Sequence, residues 1–197
     1  MITAYIDFKS LDCFLAIKPI IHLAKSHGVS IEWRPFQTAE RALPTQVSDE
    51  RVTRQHHHVR LESEFRLQQH YADLRKLQFD PACRHVDTTE ALQWLVSLEG
   101  DTTAFVERVF HAHWCENQDI NDTAFLTSLT EACGVSREAS EDDLPSARPE
   151  AESAGLCGAP TFVSPGHMFM GRAHIPWTRG RFASYQPSTT PSSRICR

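Results

Sequence analysis

Two short segments about 150 residues apart constrain this chain more than anything else in it. The first is Asp7-Phe8-Lys9-Ser10-Leu11-Asp12-Cys13, where a strand ends and a helix begins at once. Ile2, Tyr5, Ile6 and Phe8 make an apolar run of strand length, as a buried parallel strand does. Ser10 then stands at an N-cap position, with Asp12 in the first turn. The second segment is Gly158-Ala159-Pro160-Thr161-Phe162, a small-residue turn into a strand with a proline at its entry.

Phe14, Ile17, Ile20, Ile21 and Ala24 continue the first segment as a helical stripe that stops at Gly28, and Pro19 inside it is expected to kink the helix. Val29 to Phe36 reads as a second strand, ended by Pro35. A β-α-β opening favours a right-handed crossover and a parallel pair. From about Ser48 to about Glu141 glycine nearly vanishes and helix formers dominate. Helices are expected over 49–77, 88–98, 102–115 and 123–133, with a further one over 146–155. Thr161-Phe162-Val163 and His167 to Met170 then read as two strands joined by Ser164-Pro165-Gly166, and Ile175-Pro176-Trp177 as the opening of a last helix. The tail from Gln186 to Arg197 is rich in Pro, Ser and Thr, which predicts disorder, and the final helix reads as cut short.

The chain has 197 residues, enough for one large domain or one domain with an insertion. A net charge of −5 leaves no basic footprint for nucleic acid. No apolar run approaches the roughly 18 residues of a membrane helix. Met1 leads straight into strand-like sequence without a basic or long apolar leader, so a cytoplasmic location is expected. The six cysteines are scattered with no CxxC pair, and in a reducing compartment most are expected to be free.

A helix N-terminus favours a thiolate through its free N–H groups and its dipole. Ser10 is placed to donate a hydrogen bond to a bound sulfur, and equally it is placed as a plain N-cap worth about 1 kcal/mol. Cys13, one turn in and beside Asp12, reads more as a small core residue than as a nucleophile, because the neighbouring charge opposes a thiolate. A Cys13–Cys157 disulfide fits poorly, since Cys157 is offset from Pro160. His56-His57-His58, Cys83-x-His85 and His111-x-His113-x-Cys115 invite a metal reading, but on a helix only His111 and Cys115 share a face, and no metal is expected. Trp114 and Phe110 either line a substrate cleft or are plain core. Lys9 either adds positive potential beside a bound anion or is simply solvated.

Four patches carry a family resemblance: Asp7 to Ser10 with Phe14-Leu15-Ala16; Ile31 to Phe36; Phe110-His111-Ala112-His113-Trp114; and Gly158 to Phe162 with Phe169-Met170-Gly171-Arg172. With these patches the chain resembles the DsbA-like branch of the thioredoxin superfamily over residues 2–178, nearest to the kappa-class glutathione transferases and 2-hydroxychromene-2-carboxylate isomerases. The resemblance implies an α/β thioredoxin-like fold (residues 1–45 and 146–185) with an inserted all-helical domain (46–145). It implies that Ser10 is the active-site serine that hydrogen-bonds a glutathione sulfur and that Cys13 is the second position of the redox motif. Pro160 would be a cis-proline and Ala159 the residue whose backbone pairs with the thiol peptide; Lys9, Thr161, Arg172 and Trp114 would complete the thiol and substrate side. Three departures stand out. Leu11 replaces a frequent proline, no asparagine-bearing segment follows the second strand in Gln37 to Ser48, and Arg172-Ala173 stands where relatives carry an acidic residue for the γ-glutamyl amine.

The function implied is an oxidoreductase, transferase or isomerase of cytoplasmic thiol metabolism. It would use glutathione or a similar small thiol, bound at a Ser-x-x-Cys site, on a small electrophilic substrate, with no membrane or nucleic-acid partner. Relatives are often dimers, so a homodimer is a further expectation. Two alternatives accompany it: a thiol-disulfide oxidoreductase acting through Cys13, and a non-catalytic thiol- or peptide-binding module.

Overall fold

The computed structural model describes residues 1–38, 50–138 and 144–177. At its centre lies strand β1 (Ile2–Ile6), paired in parallel with β2 (Ile31–Pro35). On its other side β1 pairs antiparallel with β5 (Thr161–Ser164), which forms a hairpin with β6 (His167–Met170). The sheet order is therefore β2-β1-β5-β6. β1 buries Ile2, Ala4 and Ile6 and leaves Thr3 and Tyr5 half-buried. That is period-two burial, with one face sealed by the main core and the other partly covered by a small cluster of Phe36, Ala151 and Leu156 against Tyr5.

Helix α1 (Leu11–His27) starts at the Ser10 cap and ends at Gly28, whose φ of 63° lets its N–H reach the carbonyls of Ala24 and Lys25. It runs through Pro19 without a break. The remaining helices are α2 (Glu50–Leu74), α3 (Thr89–Val96), α4 (Thr103–Glu116), α5 (Thr123–Ala132) and α6 (Leu144–Ser153). All five lie within a few residues of their expected positions; the expected start of α2 at Asp49 and the tail from 186 to 197 lie outside the described residues.

The sequence did not announce two small features. A 3-10 turn spans Pro81–His85, capped by Asp80, and a two-residue ladder joins β3 (Leu98–Glu99) to β4 (Ser136–Arg137). Arg137 secures the ladder by lying 3.7 Å over the Trp94 ring and donating to Ser97 Oγ at 2.8 Å. After β6 the chain makes a 3-10 turn (Arg172–His174) before residues 175–177 turn helical, where the described chain ends.

One buried cluster joins the sheet to the helices. Phe8 meets Phe110 edge-on at 5.0 Å, and Phe14 stacks on Trp114 at 6.1 Å. The strand-to-helix junction is thereby held from both sides, by β1 beneath and by α4 above.

Candidate functional site at the start of helix α1

The junction is organised by a carboxylate. Asp7 is fully buried. Its Oδ2 accepts from the Thr38 amide at 2.7 Å and the Thr38 hydroxyl at 2.6 Å. Its Oδ1 accepts from the Thr88 hydroxyl at 3.0 Å and the Lys9 amide at 3.2 Å. A buried carboxylate needs several donors to offset the water it gives up, and Asp7 has four. They come from the segment after β2, from the residue before α3 and from its own turn, so Asp7 ties three parts of the chain to the site. Sequence reasoning missed this role. The signal was a charged residue at the end of an apolar strand, where burial forces it to find partners.

Ser10 follows with extended backbone, and its Oγ accepts from the Cys13 amide at 3.3 Å. The Ser10 amide is bound to the Asp7 carbonyl at 3.1 Å. Ser10 is half-buried, so its hydroxyl stands at the surface end of the helix. Cys13 is fully buried, with its sulfur accepting from the Asp7 amide at 3.5 Å. Burial pushes its thiol far above the ordinary value of 9.0. The Ser10 hydroxyl and the Asp7 amide pull the other way, and the Asp7 and Asp12 charges add to the rise. The motif thus presents a hydroxyl outside and a sealed, protonated thiol inside.

The raised Cys13 value has a consequence for stability. A group whose folded pKa lies above its unfolded one contributes fully below the unfolded value and loses that contribution as pH rises toward the folded value. Wild type is therefore expected to lose about 1.4 kcal/mol per pH unit more than Cys13→Ala above pH 9.0, measured by urea unfolding. Parallel curves for the two proteins would contradict the burial argument.

The second segment arrives through the sheet. Thr161 pairs with Tyr5, so Ala159 and Pro160 lie at the end of β1 where the chain turns into α1. The Ala159–Pro160 peptide bond is cis. The Pro160 carbonyl accepts from the Gly171 amide at 2.7 Å. Cys157, just before this turn, is exposed, and Cys13 and Cys157 are both free thiols.

Several expected site residues have other work. Trp114 is fully buried and donates from Nε1 to the Phe8 carbonyl at 2.9 Å, which makes it part of the core that fixes the junction. Thr161 is also fully buried; its hydroxyl donates to the Gly158 carbonyl at 2.6 Å and its backbone is taken up in the sheet. Its side chain shapes the turn that carries Ala159 and Pro160. Lys9 is half-buried and its charge helps hold the Asp87 carboxyl down, after the larger effect of the Thr89 hydrogen bond.

Arg172 has the least expected role. Pro19 has no N–H to give the carbonyl four residues back, which is that of Leu15. Arg172 Nε donates to that carbonyl at 3.3 Å, and its guanidinium lies 3.4 Å over the Tyr71 ring. The helix passes Pro19 intact with an arginine from the β6 turn supplying the missing donor. The same guanidinium favours the charged form of Asp12, against burial, which is the main cause raising that carboxyl.

His111 and His113 diverge: His113 is buried against the Cys83 carbonyl at 3.0 Å, while exposed His111 meets Glu116 at 3.0 Å. Among the described residues no three His, Cys, Asp or Glu side chains are grouped as a metal site requires.

The family model for the DSBA-like thioredoxin domain matches residues 1–182. The chain belongs to this family. Its fold is similar to that of a 2-hydroxychromene-2-carboxylate isomerase, with a TM-score of 0.63 at 18% identity over 92% of this chain and 94% of that one. It is similar also to a probable DsbA oxidoreductase from Streptomyces coelicolor, with a TM-score of 0.64 at 16% identity over 100% of this chain and 95% of that one. The cytosolic disulfide reductase DsbM from Pseudomonas aeruginosa follows with 0.55 at 16% identity over 92% and 94%. No curated protein matches the chain in sequence. Oxidoreductases and an isomerase are thus among the solved proteins that share this fold, and one DsbM structure of similar fold was solved with GSH.

Proposed function

We propose that this DSBA-like protein binds a small thiol, glutathione first among them, with its sulfur at Ser10 and its backbone along Ala159 and Pro160. The bound thiol then serves oxidoreduction, transfer or isomerisation of a small electrophile. The observation that carries the reading is the division of labour between Ser10 and Cys13. The outer position is a hydroxyl at a helix N-terminus, which can donate to a thiolate but cannot itself exchange disulfides. The inner thiol is buried and held protonated, so it is a poor nucleophile. A sulfur has to be brought in from outside.

The helix N-terminus would favour the thiolate of the guest, lowering the proton cost of forming the nucleophile. Arg172 occupies the place of the relatives' acidic residue and is tied to Leu15, so the γ-glutamyl amine would find no carboxylate there. Weak glutathione affinity, or preference for another small thiol, follows from that. A cytoplasmic setting is part of the proposal, supported by free thiols among the described cysteines and by the cytosolic neighbour. Among the described residues no helix is long and apolar enough to cross a membrane.

The test is thiol-dependent consumption of a small aromatic electrophile such as a chlorodinitrobenzene. Ser10→Ala is expected to lower kcat/KM by about 100-fold, the scale for removing one preorganised donor to developing charge. Cys13→Ser should keep most of the activity. Loss in Cys13→Ser with retention in Ser10→Ala would instead place the reacting thiol at Cys13, and reduction of a small disulfide substrate that is lost in Cys13→Ser would establish exchange through it. Binding of thiol without turnover of any electrophile would leave a non-catalytic module.

A further inference from the structure

A groove of about 180 Å³ opens between α1, the end of α2 and α4. Phe14, Ile17, Leu77 and Phe110 give it apolar walls. It shares no lining residue with the Ser10, Cys13 and Pro160 site, and Lys18 lies about 12 Å along the helix axis from Ser10 at roughly 1.5 Å per residue.

The charges around the groove are lopsided. Lys18, Arg75 and Arg108 line it against the single carboxylate of Glu107. His111, at the edge, is already engaged by Glu116 at 3.0 Å. None of the three permanent cations has an ion-pair partner within 4.0 Å among the described residues. Arg75 is the most unusual of them. Its Nη1 is buried and has no hydrogen-bond partner. Burial, and secondarily the like charge of Arg172, push its pKa down. A guanidinium donor without an acceptor marks a charge that the fold leaves uncompensated, and an anion in the groove beside Arg75 would offset that charge and relieve the repulsion between Arg75 and Arg172.

The size of the groove limits the guest. An apolar cavity of about 150 Å³ accommodates a benzene ring, so this one takes a body of about that size. We propose that the groove is a second ligand site, for a small apolar anion whose carboxylate or similar head meets Arg75 while its apolar body rests on Phe14 and Leu77. Lys18 and Arg108 at the rim would raise the local concentration of such anions and orient their approach.

Titration of the full chain with benzoate, benzyl alcohol and acetate, followed by two-dimensional amide NMR, tests this. Benzoate is expected to shift amides of α1 and α4 around Phe14, Lys18 and Phe110. Benzyl alcohol, without the charge, and acetate, without the ring, should bind at least about ten-fold more weakly. Arg75→Gln should weaken benzoate by at least about ten-fold, Arg108→Gln by less, and Ser10→Ala should leave it unchanged. Equal binding of benzoate and benzyl alcohol would overturn the proposal, as would undiminished benzoate binding in Arg75→Gln. Loss of benzoate binding in Ser10→Ala would also overturn it, by placing the anion in the thiol site. Should Arg75→Gln not fold, the benzoate-to-benzyl-alcohol ratio in wild type and the effect of Arg108→Gln decide the matter.

Discussion

Trp114→Ala is expected to destabilise the protein by about 5 kcal/mol, a large share of the stability of an ordinary domain. Trp114 is fully buried, stacks on Phe14 at 6.1 Å, and meets Phe79 and His113 edge-on. Truncation leaves a cavity the size of an indole between α1 and α4. It also strips the Phe8 carbonyl of the Nε1 donor it holds at 2.9 Å, and a buried acceptor without a partner costs about 1–3 kcal/mol on its own. Trp114→Phe separates the two effects, because it keeps most of the packing and removes the donor. Urea unfolding should place it between wild type and Trp114→Ala. A loss under about 1 kcal/mol for Trp114→Ala would mean that the side chain is not the buried link between α4 and the Phe8 turn.

Asp7→Ala is expected to cost about 3–5 kcal/mol, on the scale of breaking a buried polar network. Four donors converge on this carboxylate, and the substitution leaves all of them, from Lys9, Thr38 and Thr88, without their acceptor. Asp7→Asn should be milder but still damaging, because its NH₂ group must face a donor where an oxygen now accepts. The loss should also be local. Amide hydrogen exchange is expected to rise first at Lys9, Thr38 and Leu92, whose amides belong to the turn, the strand exit and the first turn of α3. Unchanged exchange at Thr38 together with a fall below about 1 kcal/mol would show that the network does not hold the junction.

These two residues also mark where sequence reasoning stopped. The boundaries of α1 were legible because Ser10 and Gly28 are chemically suited to their caps, and each makes the cap bond its residue type allows. The β5-β6 hairpin was legible from Ser164-Pro165-Gly166 between apolar runs, and Gly166 takes a φ of 75° there. Ser10 and Pro160 were legible as the two sides of a junction only through the family resemblance, because local chemistry marks the one as an N-cap and the other as a proline at a strand entry. The partners of Asp7 were not, since Thr38 and Thr88 lie 31 and 81 residues away and nothing local distinguishes them from other threonines. Trp114 read equally well as cleft or core, because an aromatic on an apolar helix face has the same pattern in both. The pairing of Arg172 with the carbonyl freed by Pro19 was half visible: the proline marks an orphaned carbonyl at Leu15, but only the fold says which donor reaches it across the chain.

The central claim is that Ser10 receives the sulfur of a small thiol while Cys13 stays out of the chemistry. Calorimetric titration of the reduced protein with glutathione, run on wild type, Ser10→Ala and Cys13→Ser, tests it most directly. The account predicts binding in the micromolar-to-millimolar range for wild type, weakening of about ten-fold in Ser10→Ala from the lost hydrogen bond to a charged sulfur, and little change in Cys13→Ser. Affinity that is indifferent to Ser10→Ala, or that disappears in Cys13→Ser, would contradict it.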